Sequence, residues 1–313
     1  MTRERTAFGQ ALVLMLLSTV GFALMAVTIR LASQTEPTWE VAFFRNVFGL
    51  VTLLAVLAPG VLRARSPATR ARETARTRQL PRYLLRSAIG IGSMFCNFWA
   101  VKHLPLAQAI ALVYSSPIFV TVAAIFMLGE KVRLRRWLAV VVGFIGVLII
   151  VRPWSSTVSF AAMVAVAAAV FNALVAVQIK QLAAVDPPDT IVLWTYLFWV
   201  PMSMVPALMD WHAPHGIAWV WLGLSGVLGT MGQVLWTRAL RLGDVSALTP
   251  LSFLQMPIVA VIGWWLFAER LDAWTATGAL VIFASIAYIA HRESQLARRH
   301  ASIAPTEAAE PGN

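Results

Sequence analysis

Residues 107–153 read AQAIALVYSSPIFVTVAAIFMLGEKVRLRRWLAVVVGFIGVLIIVRP, two apolar runs joined by one short, strongly charged turn. The first arm, Ala107 to Leu128, has no charged side chain over the roughly 20 residues a helix needs to cross about 30 Å of hydrocarbon. Gly129 to Arg136 cannot share that environment. Lys131, Arg133, Arg135 and Arg136 crowd around Glu130, so the turn belongs in water, and its excess of positive charge marks it as cytoplasmic. Trp137 to Val151 then returns the chain, and Arg152 and Pro153 stop it. The stretch predicts a transmembrane helical hairpin.

The composition extends that reading to the whole chain. Of 313 residues, 59% are hydrophobic and 12% charged, against about a quarter charged in soluble domains. Apolar runs of spanning length separated by short polar turns indicate an all-α integral membrane protein. A barrel would show about ten-residue alternating segments instead. The net charge of +11 would suit nucleic acid, but the arginines lie between spans, where they set topology, so no nucleic-acid partner is expected. The single cysteine, Cys96, excludes a disulfide framework and a cysteine-based metal site. The first run, Phe8 to Ile29, follows Arg3 and Arg5 as a signal peptide would. It is too long and lacks a small-residue cleavage pattern, so it reads as the first span.

Ten runs of spanning length follow one another: Phe8 to Ile29, Trp39 to Leu57, Leu84 to Val101, Ala107 to Leu128, Trp137 to Val151, Val158 to Val177, Ile191 to Met209, Ala218 to Trp236, Ala247 to Phe267 and Ala273 to Ala290. An even number puts both termini on one side. With the N-terminus inside, twenty of the 25 lysines and arginines, Arg86 among them, fall in cytoplasmic segments, and only Arg30, Lys102, Arg152 and Arg270 fall outside. Both termini are therefore expected in the cytoplasm. Residues 59–83 form a basic cytoplasmic loop without a counterpart of similar length later in the chain. Residues 292–313 have no apolar face to bury and are expected to be a disordered cytoplasmic tail.

The chain also repeats itself. Adding 139 takes Gly90 to Gly229, Ala100 to Ala239, Lys102 to Arg241, Leu112 to Leu251, Glu130 to Glu269, Lys131 to Arg270 and Ala139 to Gly278. Two units of five spans result, residues 1–153 and 154–291, and an odd number of spans per unit makes the second enter the membrane inverted. Such repeats are a common construction of secondary transporters. The pattern of Ser115, Ser116 and Pro117, an apolar run, Gly129-Glu130-Lys131 and the glycine-spaced Gly143 and Gly146 resembles the EamA family of the drug/metabolite transporter superfamily, over about residues 8 to 291. The resemblance implies a ten-helix protein of the bacterial cytoplasmic membrane, monomer or homodimer, that moves amino acids, related metabolites or toxic organic compounds. Export is the commoner direction it implies. The family also contains importers, among them ones for S-adenosylmethionine and riboflavin.

Polar groups inside spans each require a partner or a cavity, since a charge at a helix centre costs about 2.5–3.5 kcal/mol on insertion scales. Arg45 lies within the second span. It either snorkels and pairs with Glu40 or with a helix end, or it faces a water-filled cavity and meets a substrate carboxylate with its planar fork. Asn97, Asn172, Gln178, Gln233 and Gln255 are mid-span amides that serve as interhelical glue or as cavity lining. Tyr114, followed by two serines near the middle of the fourth span, is the better cavity candidate. Trp236 aligns with Asn97 in the repeat, or is an interfacial tryptophan. Arg45, Tyr114, Asn97, Gln233, Gln255 and Trp236 are thus the candidate substrate-binding residues, while Glu40, Glu130 and Glu269 read as structural ion-pair members, Glu130 and Glu269 beside Lys131 and Arg270. Phe43, Phe44, Phe98, Trp99, Trp194 and Trp199 could stack on an aromatic solute, although such residues more often pack against lipid or a neighbouring helix. All five histidines fall in loops, at span ends or in the tail, which supports no metal site. No phosphate-binding G-x-x-x-x-G-K-[ST] loop and no H-E-x-x-H helix occurs, so no cofactor is expected and a membrane enzyme or scaffold is the weaker class.

Overall fold

A computed structural model describes residues 2–62, 77–128, 134–152, 154, 159–183, 185–209, 211–242, 251–252 and 254–303. Among them the secondary structure is helical throughout: α1 (Thr2–Ala32), α2 (Thr38–Leu62), α3 (Leu80–His103), α4 (Leu106–Val113), α5 (Ser116–Leu128), α6 (Leu134–Val151), α7 (Phe160–Ala183), α8 (Pro188–Met209), α9 (Ala218–Leu242), α10 (Gln255–Phe267) and α11 (Ala273–Ile303). Seven helical stretches are long and apolar enough to cross a membrane, and Trp137–Val151, Gln255–Phe267 and Ala273–Tyr288 are shorter apolar helices. Most of the basic loop, together with Glu130 and Lys131, lies outside the described residues.

Two elements depart from the sequence reading. The arm expected as one helix from Ala107 to Leu128 is divided into α4 and α5 by a turn at Tyr114 and Ser115. Pro117 explains the division, because it lacks the backbone donor an uninterrupted helix needs and its ring would clash with the carbonyl four residues back, that of Val113 at the end of α4. The backbone of α11 also runs on to Ile303, past the expected end at Ala290. Its last stretch, SQLARRHASI, holds good helix formers, which continue a helix that has already been nucleated.

Packing follows a pattern of exchange between the two halves of the chain. Helix α1 packs on α9 and α3 on α7; α6 packs on α11; α2 meets α8 and α9; α4 meets α10. The α6–α11 contact is the tightest to read. The Ser285 hydroxyl donates to the Ala139 carbonyl at 2.6 Å, while a Cβ built on Gly146 would fall 2.8 Å from the Gly278 carbonyl oxygen. Residue 139 opposite 285 and 146 opposite 278 means the helices run antiparallel. Adding 139 turns the first of these contacts into the second. Small residues bring the backbones together here, as they must where lipid offers helices no hydrophobic gain on association.

Candidate functional site

The polar interior gathers around Trp199, near the middle of α8. Arg45 stands seven residues into α2, roughly 10 Å from that helix's start at 1.5 Å per residue. Arg86 stands six residues into α3, roughly 9 Å from its start by the same rise. The two helices are antiparallel, since Lys102 near the end of α3 reaches the Glu36 carbonyl ahead of α2. The arginines therefore approach Trp199 from opposite ends of the bundle. Arg45 Cζ lies 5.8 Å from the Trp199 ring centroid and 5.8 Å from that of Tyr196, and Arg86 Cζ lies 6.0 Å from the Trp199 centroid. Trp199 Nε1 donates to the Ser87 carbonyl at 3.2 Å.

Around this hub the side chains hold each other in place. Arg45 Nη1 donates to Asn46 Oδ1 at 3.0 Å, and Asn46 Nδ2 donates to Ser203 Oγ at 3.1 Å. Tyr196 and Thr230 share a hydroxyl contact of 2.7 Å. Arg86 is buried and donates to Thr195. Among the described residues neither arginine forms an ion pair, and Arg45 Nε and Arg86 Nε are buried without a hydrogen-bond partner. Gly90 and Gly229, related by the 139-residue step, make room for the cluster. A Cβ on Gly90 would sit 2.9 Å from Trp199 Cζ2, and one on Gly229 would sit 3.1 Å from Arg45 Nη2.

The structure brings only part of the expected set to this place. Gln233 lines a cavity of about 180 Å³ with Asp189, Arg238 and Thr230, and Thr230 joins it to the hub. Tyr114 and Gln255 meet each other elsewhere: the Tyr114 hydroxyl lies 2.6 Å from Gln255 Oε1 and 2.9 Å from the Ser252 carbonyl, so the α4–α5 break abuts the start of α10. Asn97 leaves Oδ1 buried without a partner. Asn172 accepts from Ser93 at 2.9 Å, a bridge between α7 and α3. Trp236, on α9, is 37% exposed. A larger cavity of about 360 Å³ lies between α4, α10 and α11. Its lining is apolar apart from Tyr114, and its wall includes the outward-facing Leu280, so it suits an acyl chain better than a polar solute.

The acidic residues take different partners from those their neighbours in sequence suggest. Glu40 is fully buried, yet among the described residues no lysine or arginine pairs with it: Oε1 accepts from the His212 backbone N–H at 2.6 Å, and Oε2 has no hydrogen-bond partner. The Arg45–Glu40 pairing is therefore corrected, because the arginine turns toward the aromatic rings of α8 and the glutamate toward the α8–α9 connection. Glu269 pairs with Arg30 at 2.9 Å instead of with the adjacent Arg270, and its Oε2 accepts from Leu106 N at 2.7 Å. Arg30 also donates to the Val101 and Leu104 carbonyls. One ion pair thus ties α1, the end of α3, the start of α4 and the end of α10. Glu130 lies outside the described residues.

Arg86, Thr195, Tyr196, Ser203 and Thr230 escaped the sequence reading. Arg86 was counted with the topological cations because it stands at the start of its span, and a span-edge arginine usually snorkels to water. A signal for Thr195 and Tyr196 existed. Ahead of the long loop the repeat step is 150, with ALMAVTIR at 23–30 matching ALVAVQIK at 173–180. The same step carries Arg45, Asn46 and Gly49 to Thr195, Tyr196 and Trp199, the residues of α8 that α2 meets. Among the described residues no group of His, Cys, Asp and Glu could hold a metal ion.

Comparison with known proteins bears on what such an interior does. The model of the EamA-like transporter family matches twice, at residues 9–152 and 159–290. The riboflavin transporter of Vibrio cholerae is 33% identical over 235 residues, 74% of this chain and 79% of its own length. The pseudopaline exporter of Pseudomonas aeruginosa is 32% identical over 280 residues, covering 88% and 94%. The S-adenosylmethionine uptake transporter of Rickettsia felis is 26% identical over 269 residues, covering 85% and 87%. A solved crystal structure has the same fold at a TM-score of 0.62 and 18% identity, covering 93% of this chain and 98% of its own.

Proposed function

This chain belongs to the EamA-like transporter family, and from that membership we propose that it is a secondary transporter of a small metabolite, an amino acid or related compound, which it exports across a bacterial cytoplasmic membrane by alternating access. The observation that carries the mechanism is the exchange pattern of the packing. Helix contacts of one half recur in the other after the repeat step, and the self-paired helices α6 and α11 are antiparallel. Two similar halves in opposite orientation can trade an inward-open for an outward-open shape around a site between them. The hub at Trp199 lies where α2 and α3 of one half meet α8 and α9 of the other, which is where that exchange requires a site. On this reading ten spans form two inverted repeats, residues 1–153 and 154–291, with both termini in the cytoplasm.

Of the six candidate residues, Arg45 and Gln233 line the solute path, and Tyr114 and Gln255 couple the break in α4–α5 to α10. Uptake of a vitamin- or nucleoside-like solute is the second reading. The relatives named for riboflavin and S-adenosylmethionine favour it, as do the aromatic rings of Trp199 and Tyr196 at the hub. Purified protein in liposomes decides between transport and its alternatives: a counterflow screen with amino acids, riboflavin and S-adenosylmethionine should give saturable flux of one class. A protein that binds solutes but gives no saturable flux of any of them defeats the transport reading. Oriented vesicles then read the direction.

A further inference from the structure

We propose that Arg45 and Arg86, both held against Trp199, form a binding site for the carboxylate of a small organic anion. The inference rests on the transport reading and narrows it, because it names the chemical group that the path is built to receive.

Two guanidinium groups inside membrane-spanning helices are unusual, and among the described residues neither has a carboxylate partner. Arg86 is 6% exposed. One nitrogen reaches Thr195, but Nε has no acceptor, and the same is true of Arg45 Nε. Ser87, fully buried beside Arg86, also has an unpartnered hydroxyl. The unmet groups at this hub are therefore hydrogen-bond donors gathered about one indole. The surrounding acceptors are already taken: Asn46 Oδ1 by Arg45, Thr195 Oγ1 by Arg86, and the Ser87 carbonyl by Trp199.

Stacking on aromatic faces gives each cation part of what water would have given. It leaves the edge of each guanidinium free, because a ring attracts the planar face of the group and the donors lie in that plane. A carboxylate satisfies such an edge with two parallel charge-assisted bonds. A purely structural arginine at these positions would be expected to end on a carboxylate or on several carbonyls, as Arg30 does with Glu269, Val101 and Leu104.

The arrangement along the bundle gives the site a use. Arg45 enters from one end of the membrane and Arg86 from the other, with Trp199 between them. A carboxylate that arrives beside one arginine can be passed to the other as the halves rock. The positive charge stays fixed, so the solute's charge is compensated at both stages, and no proton or covalent step is needed.

The test uses purified full-length protein and two isosteric probes, benzoate and benzamide, with apparent affinity read from the rise of the melting temperature with probe concentration. Benzoate should stabilise the parent protein at concentrations at least about tenfold lower than benzamide, the ratio expected from one charge-assisted hydrogen-bonded contact. Arg45→Gln and Arg86→Gln should each abolish that preference, whereas Glu40→Gln should keep it. If a glutamine variant fails to fold, the lysine variant serves: it keeps the charge and loses the fork, so benzoate must weaken while benzamide does not change. Equal response to the two probes in the parent, or an unchanged preference in the arginine variants, overturns the site. The failures are separable. Arginine-dependent benzoate binding without saturable flux leaves the site standing and defeats transport, while saturable flux of a solute with no benzoate preference does the reverse.

Discussion

Replacing Glu269 by alanine should loosen four helices at once. Its Oε1 receives the Arg30 bond at 2.9 Å and its Oε2 the Leu106 N–H at 2.7 Å, with 15% of the side chain exposed and 19% of its partner's. A hydrogen bond to a charged group contributes about 1.5–3 kcal/mol, and loss of an N-terminal helix cap costs about 1 kcal/mol. Pro105, at the capping position of α4, has no side-chain acceptor to take over. Arg30 retains the Val101 and Leu104 carbonyls, which holds the total below the 3–5 kcal/mol typical of stranding one member of a fully buried pair. The expected loss is about 3 kcal/mol. At about 2.1 cal/mol/K per residue, a chain of this length has an unfolding entropy that turns this into a fall of roughly 4–5 °C in melting temperature. Glu269→Gln preserves the shape and one acceptor and should lose about half as much. A cycle with Arg30→Met, read by thermal unfolding in one detergent, should show coupling of about 1–2 kcal/mol, because the residues share one bond. A Glu269→Ala protein that melts within 1 °C of the parent, or a cycle with additive effects, would refute the reasoning.

Gly146→Leu should lower stability by about 1–3 kcal/mol or more, since an added side chain meets the Gly278 carbonyl across the α6–α11 contact. Gly223→Ala, with nothing within 4 Å of its new Cβ, should be neutral or stabilising by up to about 1 kcal/mol in a circular-dichroism melt. Because Glu40 and Arg45 do not touch, the stability effects of Glu40→Ala and Arg45→Ala should add within about 0.5 kcal/mol; clear non-additivity would restore the pairing. Reporter fusions after Arg78 and Arg299 should give cytoplasmic signals and fusions near Gln34 and His212 periplasmic ones, and a periplasmic signal after Arg78 reverses the orientation.

What the sequence determined by itself is what depends on short-range chemistry. Apolar runs of spanning length admit little but helices, because a backbone in lipid must bond within its own segment. Repetition at a fixed step is a property of the string, so the recurring pattern that the family model matches twice was legible before any packing was known, and Arg45 stood out because charge inside an apolar run is conspicuous. Partner choice was not legible. Whether Glu269 bonds the adjacent Arg270 or Arg30 at the far end of the chain, and whether Arg45 turns to Glu40 or to Trp199, depends on which helix lies alongside; sequence distance says nothing of that once the chain has folded back. Arg86 shows the limit most plainly. Its sequence neighbourhood is that of an arginine near a membrane surface, and only the packing of α3 on α7 and α8 takes it out of water and leaves it facing the same indole as Arg45.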